Sequence, residues 1–376
     1  MDEKIFIIGF GFIGRYLAPC YEALLGQPGP GNVLAVKAST RGLEELRQQY
    51  PYAISVGDTA AVLEREHPSI LVLCPPPTEV PGIVREILAP YFERCRREGR
   101  KLPVIYTFAP TPAADWFRDE LGEGTLAAKI LPNVVDRIGS INMAPIGTNF
   151  ISLDPRAPWP EAEREKLCRF LSPFGENIFL TDDDSLALLA VKITAHIFYE
   201  ISFSVADVCG SRGIPVTLAQ LGSAVRAARF SMPDCQLPQL CPCGYDGLPD
   251  RVAEFMRRLT LAWYAGIEAY AGSLSYTIPL ETVRHINSLS FELNVLPVQL
   301  ETREKLHENT RNHGTKGGVL EKGCIFFERY LRRPLEEMTA RVLDGEWEED
   351  FFDFVQGMSY TISLAAYRQS YRLTGR

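Results

Sequence analysis

Lys4-Ile5-Phe6-Ile7-Ile8-Gly9-Phe10-Gly11-Phe12-Ile13-Gly14 passes from an apolar, β-favouring run into three glycines spaced Gly-x-Gly-x-x-Gly, and a helical pattern follows. Each glycine has a task in a strand-turn-helix that meets a pyrophosphate. Gly9 permits the tight turn, Gly11 lets the backbone approach the phosphates without a Cβ in the way, and Gly14 allows close packing of helix on strand. The N-terminus of the helix, expected over Ile13 to Leu25, adds unpaired N–H groups. Such a turn can also be purely structural. Here a second apolar strand, Val33-Leu34-Ala35-Val36-Lys37, follows at the interval a βαβ unit requires, so the dinucleotide reading is preferred, with Phe12 and Ile13 lining the turn.

Composition narrows the function classes. The chain has 376 residues, 46% hydrophobic and 23% charged, and a net charge of −8. An acidic balance without a basic face argues against nucleic acid as a partner. No apolar run reaches the roughly 18 residues of a membrane span. Met1-Asp2-Glu3-Lys4 leads straight into a strand, unlike a signal peptide, which gives a cytoplasmic expectation. Nine cysteines, an odd number, do not suggest a disulfide framework. Cys235, Cys241 and Cys243 cluster, but Cys-Pro-Cys spacing suits zinc poorly, so a loop insertion and no metal are expected.

The first half alternates strands with amphipathic helices. Continuous apolar runs at Ser69 to Cys74 and Pro103 to Thr107 read as buried parallel strands, and shorter strands are expected near Ala127 to Leu131, Pro145 to Ser152 and Asn177 to Leu180. Helices are expected over Val80 to Arg97 and Trp159 to Leu171. From Asp182 long helical periodicity takes over: Ser185 to Gly210, Pro215 to Phe230, Leu248 to Gly272, Pro279 to Leu289, Pro297 to Asn312, Gly318 to Tyr330, Pro334 to Leu343 and Trp347 to Leu373. The expected fold class is α/β: a doubly wound, mostly parallel Rossmann sheet over 1–181, then an all-α substrate and dimerisation domain over 182–376.

The end of the second strand bears on which nicotinamide cofactor fits. A ribose with free hydroxyls calls for Asp or Glu there, whereas a 2′-phosphate calls for cations and hydroxyls. The chain has Lys37-Ala38-Ser39-Thr40-Arg41 and no acid before Glu44. Arg41 can fork onto a phosphate while Ser39 and Thr40 donate to its oxygens, so NADP(H) is the expected cofactor. The competing reading is a solvated loop with a helix cap at Ser39 or Thr40.

These residues resemble a known superfamily, that of pyrroline-5-carboxylate reductase, imine reductases and β-hydroxyacid dehydrogenases. The likeness is carried by Ile5 to Gly14, Ser39-Thr40-Arg41, the strand ending Cys74-Pro75-Pro76 and Ile130-Leu131-Pro132-Asn133-Val134-Val135, which is similar to an Arg-x-Met-Pro-Asn segment of the reductase. The resemblance implies that Cys74, Pro75, Thr107 and Asn133 lie near the nicotinamide. It also implies a substrate-carboxylate loop at Thr315-Lys316-Gly317-Gly318, similar to the family's Ser-Pro-Gly-Gly. That family follows the glycines with hydroxyl residues, where this chain has Val319-Leu320, a departure that bears on proline-precursor specificity. An insertion over about 231–297 lengthens the helical domain relative to the reductase.

Proton donors are sought on the helix entering the second domain. Lys192 and His196 stand four residues apart, with Tyr199 one turn on as a substrate contact. A lysine on the corresponding helix is the proton donor in β-hydroxyacid dehydrogenases, and the apolar surroundings of Lys192 would lower its pKa. Alternatively Lys192 snorkels to solvent and His196 packs. His313, beside Gly314-Thr315, is a further candidate because it lies in a loop. The expected activity is NADPH-dependent reduction of a C=N or C=O bond in a small carboxylated, amino-acid-derived compound, in a specialised pathway. The alternatives are a β-hydroxyacid dehydrogenase, weakened because Gly122-Glu123-Gly124 replaces that family's substrate loop poorly, and a non-catalytic NADP-binding sensor or scaffold. Long apolar helices such as Ile197 to Val208 call for a homodimer.

Overall fold

Strand β1 (Ile5–Ile8) lies between β2 (Val33–Lys37) and β4 (Ile70–Leu73), parallel to both, and this arrangement organises the first half of the molecule. The computed structural model describes residues 3–133, 148–232, 243–274, 276–279, 304 and 318–374. Two compact units emerge, one holding the described residues up to 133, 148–185 and 373–374, the other those of 186–372.

The first unit is an eight-stranded sheet in the order β3-β2-β1-β4-β5-β6-β7-β8, where β3 is Ala53–Val56, β5 Val104–Thr107, β6 Ala127–Asn133, β7 Thr148–Leu153 and β8 Glu176–Phe179. Six strands run parallel in the 3-2-1-4-5-6 order of a dinucleotide-binding fold, and β7 then reverses against β6 while β8 runs parallel to β7. Both faces are buried. Ile5, Ile7, Val33, Ile70, Val72 and Tyr106 share one core with Tyr21 and Phe170, and the alternate residues Phe6, Ile8, Leu34, Leu71 and Ile105 share the other with Val84, Phe92 and Phe117. That two-sided burial is why these strands read as unbroken apolar runs.

Two helical expectations are corrected, and a third, Val80 to Arg97, holds over its full length with a local widening. The helix expected from Ile13 to Leu25 breaks into α1 (Phe12–Tyr16) and α2 (Ala18–Leu25) at Leu17. Pro19 has no N–H for the Arg15 carbonyl and its ring crowds that oxygen. The helix from Val80, α5, runs as Val80–Ile83, a wide five-residue turn Val84–Leu88 and Ala89–Arg97, with the Ala89 N–H reaching the Val84 carbonyl. In the second unit the two helices expected on either side of Arg332 are one, running as Val319–Phe326, a wide turn Phe327–Leu331 and Arg332–Asp344. In both, a proline, Pro90 or Pro334, follows the wide turn, which opens the hydrogen-bond ladder where the proline cannot donate.

Elements not anticipated are β3, α3's neighbour α4 (Thr59–Glu66) and α6 (Ala114–Leu121), α3 being Leu43–Gln49. Helix α7 (Glu161–Leu171) packs beside α2 on one sheet face.

The described part of the second unit contains helices and no strand. Helix α8 (Asp182–Ser211) starts in the first unit and continues into the second. It is followed by α9 (Leu218–Phe230), α10 (Asp250–Gly272), α11 (the helix through Val319–Asp344) and α12 (Asp350–Thr374). Thr217 starts α9 later than expected because its hydroxyl and Gln220 cap each other's backbone N–H groups. Helix α10 is tied on both sides: Trp263 Nε1–H donates to the Thr194 carbonyl at 3.2 Å, and the Ser359 hydroxyl donates to the Trp263 carbonyl at 2.7 Å. The helices expected over Pro279 to Leu289 and Pro297 to Asn312 fall almost wholly outside the described residues.

Candidate dinucleotide site

The strand order reverses its direction of travel between β1 and β4, and the carboxyl ends of these two strands flank the crevice in which open α/β sheets hold ligands. The glycine turn stands there. Gly9 has φ +94°, and a Cβ on it would lie 2.8 Å from the carbonyl carbon of Cys74 and the nitrogen of Pro75. Only a residue without a side chain meets both conditions. Gly14 would bring a Cβ within 2.9 Å of the Gly9 carbonyl and 3.4 Å of Ile7, so it sets how closely α1 approaches β1. Gly11 differs from both. Its φ is −91°, outside the left-handed region, it is exposed, and a Cβ there would have no heavy atom within 4 Å. Two glycines are therefore required by the fold, while Gly11 faces open space of the kind a pyrophosphate would occupy. Phe12 and Ile13 follow as half-buried residues at the start of α1.

Beyond β2, Ser39, Thr40 and Arg41 are exposed, and their side chains join no hydrogen bond or ion pair among the described residues. Helix α3 begins after Gly42, in the left-handed region at φ +66°, so neither Ser39 nor Thr40 caps it. The capping alternative thus fails, and three donors stand at the position that faces an adenosine ribose in this fold.

Cys74 follows β4, its N–H donating to the Ile8 carbonyl at 2.9 Å, and burial pushes its thiol well above the ordinary range. It stays neutral as a packing group beside buried Pro75. Thr107 ends β5 fully buried, its hydroxyl accepting the Ala109 N–H at 3.3 Å. Asn133 closes β6, and its side chain lies outside the described portion.

The sequence reading passed over Lys129, which stands where the resembled segment has its arginine. It is fully buried in β6, in register with Thr107 on one side and Ser152 on the other, and its ammonium pairs with Asp182, the first residue of α8. The signal was present as a single cation inside Ala127-Ala128-Lys129-Ile130-Leu131. A charge in a core strand needs a buried counter-charge, and Asp182, at the start of the acidic run Asp182-Asp183-Asp184, supplies it.

Lys192 and His196 occupy helical positions in α8, and their side chains are outside the described portion. Tyr199 is buried, packed with Phe203 and Leu218. His313, Thr315, Lys316 and Gly317, like Cys235 and Cys241, lie outside the described residues. Cys243 is half-buried, and no metal-binding group of residues occurs among the described residues. No described helix is long and apolar enough to cross a membrane.

No protein-family model matches the chain, and no curated protein matches it by sequence. Among solved structures it is similar to a pyrroline-5-carboxylate reductase of Coxiella burnetii, at 12% identity and TM-score 0.42, over 100% of this chain and 99% of that one. It is also similar to the Plasmodium falciparum pyrroline carboxylate reductase with NADP bound, at 12% identity and TM-score 0.37, over 96% and 98% of the two chains. A prephenate dehydrogenase of A. aeolicus, in complex with hydroxyphenyl propionate and NAD+, gives 11% identity and TM-score 0.40, over 92% and 99%. The Plasmodium falciparum and A. aeolicus structures are described with NADP and NAD+, and the fold itself is established by this chain's own strand order and register.

Proposed function

We propose that this chain is an NADPH-dependent reductase acting on a C=N or C=O bond of a small carboxylated, amino-acid-derived compound. The observation that carries the reading is the placement of the Gly9 to Gly14 turn at the β1/β4 crevice, with exposed Ser39, Thr40 and Arg41 at the end of the neighbouring strand. The residues present fit a dinucleotide: the turn leaves room above Gly11, and no described acid stands between Lys37 and Glu44 to repel a 2′-phosphate.

The bound cofactor supplies a hydride. The N–H groups of Gly9, Phe10 and Gly11 are bonded to the Val36 and Gly9 carbonyls, so those at the start of α1 would hold the pyrophosphate, and Arg41, Ser39 and Thr40 would bind the adenosine phosphate. Lys192 or His196 supplies the proton for the reduced atom. An iminium already carries positive charge and needs less acid assistance than a ketone, so a weakly acidic donor suffices for C=N reduction. Lys316, in the loop Thr315 to Gly318, is the counter-charge proposed for the substrate carboxylate. The helical unit is proposed to pair with a second copy of the chain, and it leaves Ile325, Tyr330 and Phe354 exposed.

The test is NADPH oxidation followed with a panel of cyclic imines and 2-oxoacids, alongside NADP+ reduction with 3-hydroxyacids. Turnover with an imine or oxoacid supports the proposal. Turnover with 3-hydroxyacids alone assigns a dehydrogenase, and tight NADPH binding without turnover of any compound assigns a sensor.

A further inference from the structure

Arg15 stands one residue beyond the glycine turn. Its Nε–H donates to the Gly11 carbonyl at 3.0 Å, the same oxygen that accepts the Arg15 backbone N–H at 3.2 Å. Helical side chains lean toward the N-terminus of their helix, so residue 15 covers the turn that begins at residue 11. The Nε bond then holds the guanidinium against the turn. The planar fork has two further nitrogens, Nη1 and Nη2, and neither joins a hydrogen bond or ion pair among the described residues. Arg15 is half-buried, and the space over Gly11 is open.

A second observation explains why a cation is useful at this place. The helix after the turn, α1, has five residues before it breaks at Leu17. Five residues align too few peptide dipoles to present the partial positive charge that a long helix offers a pyrophosphate. The chain has Pro19 where an uninterrupted helix would need a donor, and it has an arginine where its guanidinium can replace the missing charge.

We infer that Arg15 is a phosphate-binding residue of the dinucleotide site, its Nη groups pairing with the pyrophosphate common to NADP and NAD. This inference rests on the proposed cofactor reading and adds to it a residue outside the glycine motif. It assigns Arg15 to the part shared by both cofactors and Arg41 to the 2′-phosphate that only one of them carries.

The experiment is titration of the full-length protein with NADP+, NAD+ and ADP-ribose by calorimetry at two salt concentrations, using Arg15→Gln, Arg15→Lys and Arg41→Ala. Loss of a charge-assisted contact predicts that Arg15→Gln weakens all three ligands by a common factor of about tenfold or more. Its affinity should also depend less steeply on salt. Arg15→Lys should keep most of the affinity and the salt dependence, because it keeps the charge while losing the Nε bond to Gly11. Equal losses in Arg15→Lys and Arg15→Gln would mean that the residue only braces the turn, and unchanged binding in Arg15→Gln would overturn the inference outright. Absence of binding by the unsubstituted protein would instead remove the cofactor reading itself.

Discussion

Gly9 and Cys74 touch backbone to backbone at the ends of adjacent parallel strands, so close that a methyl group on Gly9 would lie 2.8 Å from the Cys74 carbonyl carbon. Gly9→Ala must therefore adopt a left-handed conformation and also push β4 away. It is expected to destabilise the protein by about 3 kcal/mol. Gly11→Ala meets neither obstacle and should cost less stability than Gly9→Ala, yet weaken dinucleotide binding because its Cβ enters the space over the turn. Chemical denaturation and NADPH titration of the two variants separate the glycine that folds the turn from the one that faces the ligand.

Arg41 is exposed, and its guanidinium joins no ion pair among the described residues, so removing it leaves no buried partner behind. Arg41→Ala should leave the melting temperature unchanged and weaken NADPH by roughly ten- to a hundred-fold, as expected for a charged contact. NADH binding should stay the same. Equal effects on both nucleotides, measured by fluorescence titration, would place the 2′-phosphate elsewhere.

A charged network at the amino ends of the parallel strands sets an acid limit on the first unit. Lys166 pairs with Glu3 at 2.7 Å and with Glu163 at 3.0 Å, Lys101 pairs with Glu163 at 2.9 Å, and the Ser69 hydroxyl donates to Glu3. Burial alone would raise both carboxyls, but the hydrogen bonds and charges of the lysines outweigh it and hold both below the ordinary value. Depressed folded-state values mean that this contribution is fully present above the unfolded glutamate value of about 4.3. It is lost as pH falls through the lower folded values. The melting temperature should fall between pH 5 and pH 3, about, and less steeply in Glu3→Gln/Glu163→Gln. Parallel pH profiles for variant and parent would count against the network.

Lys129 and Asp182 form a pair whose lysine is fully buried. Lys129→Met strands the carboxylate and should cost about 3 kcal/mol. Lys129→Met/Asp182→Leu removes both charges and should regain most of that loss, because the desolvation cost disappears together with the attraction. Urea unfolding of the two variants measures the difference, and equal losses would show that the pair is not the cause.

How much of this was legible in the sequence depended on burial. Strands such as Ile70–Leu73 are covered on both faces and announce themselves as apolar runs, and the glycine spacing located the turn beside them. Strand β3 pairs only with β2 at the sheet edge, and of Ala53-Ile54-Ser55-Val56 only Ile54 is fully buried, so no periodicity marked it. Helix α4 buries just Val62 and Leu63, too few to show a face. At the site, Ser39 to Arg41 stood out because charge and hydroxyl types suffice to suggest a phosphate. Lys129 did not, because its partner lies more than fifty positions away and only the tertiary fold brings Asp182 to it. Arg15 was hidden differently: nothing in its spacing from the glycines reveals that α1 ends so soon.

The wide turns in α5 and α11 leave a mark in the spacing of the core residues. Val80, Val84, Leu88 and Phe92 are all fully buried on one side of the sheet, and Gly323, Phe327, Leu331, Leu335 and Thr339 repeat the same interval in the second unit. In an ordinary α-helix each step of four residues rotates by about 40° past a full turn, so three steps would carry the row about 120° round the cylinder. A stretch that winds more slowly cancels much of that drift and keeps the row in line. A strict four-residue apolar ladder ending near a proline is thus a sequence signature of a locally unwound helix, and here it keeps two long helices seated over lengths that regular winding would not allow.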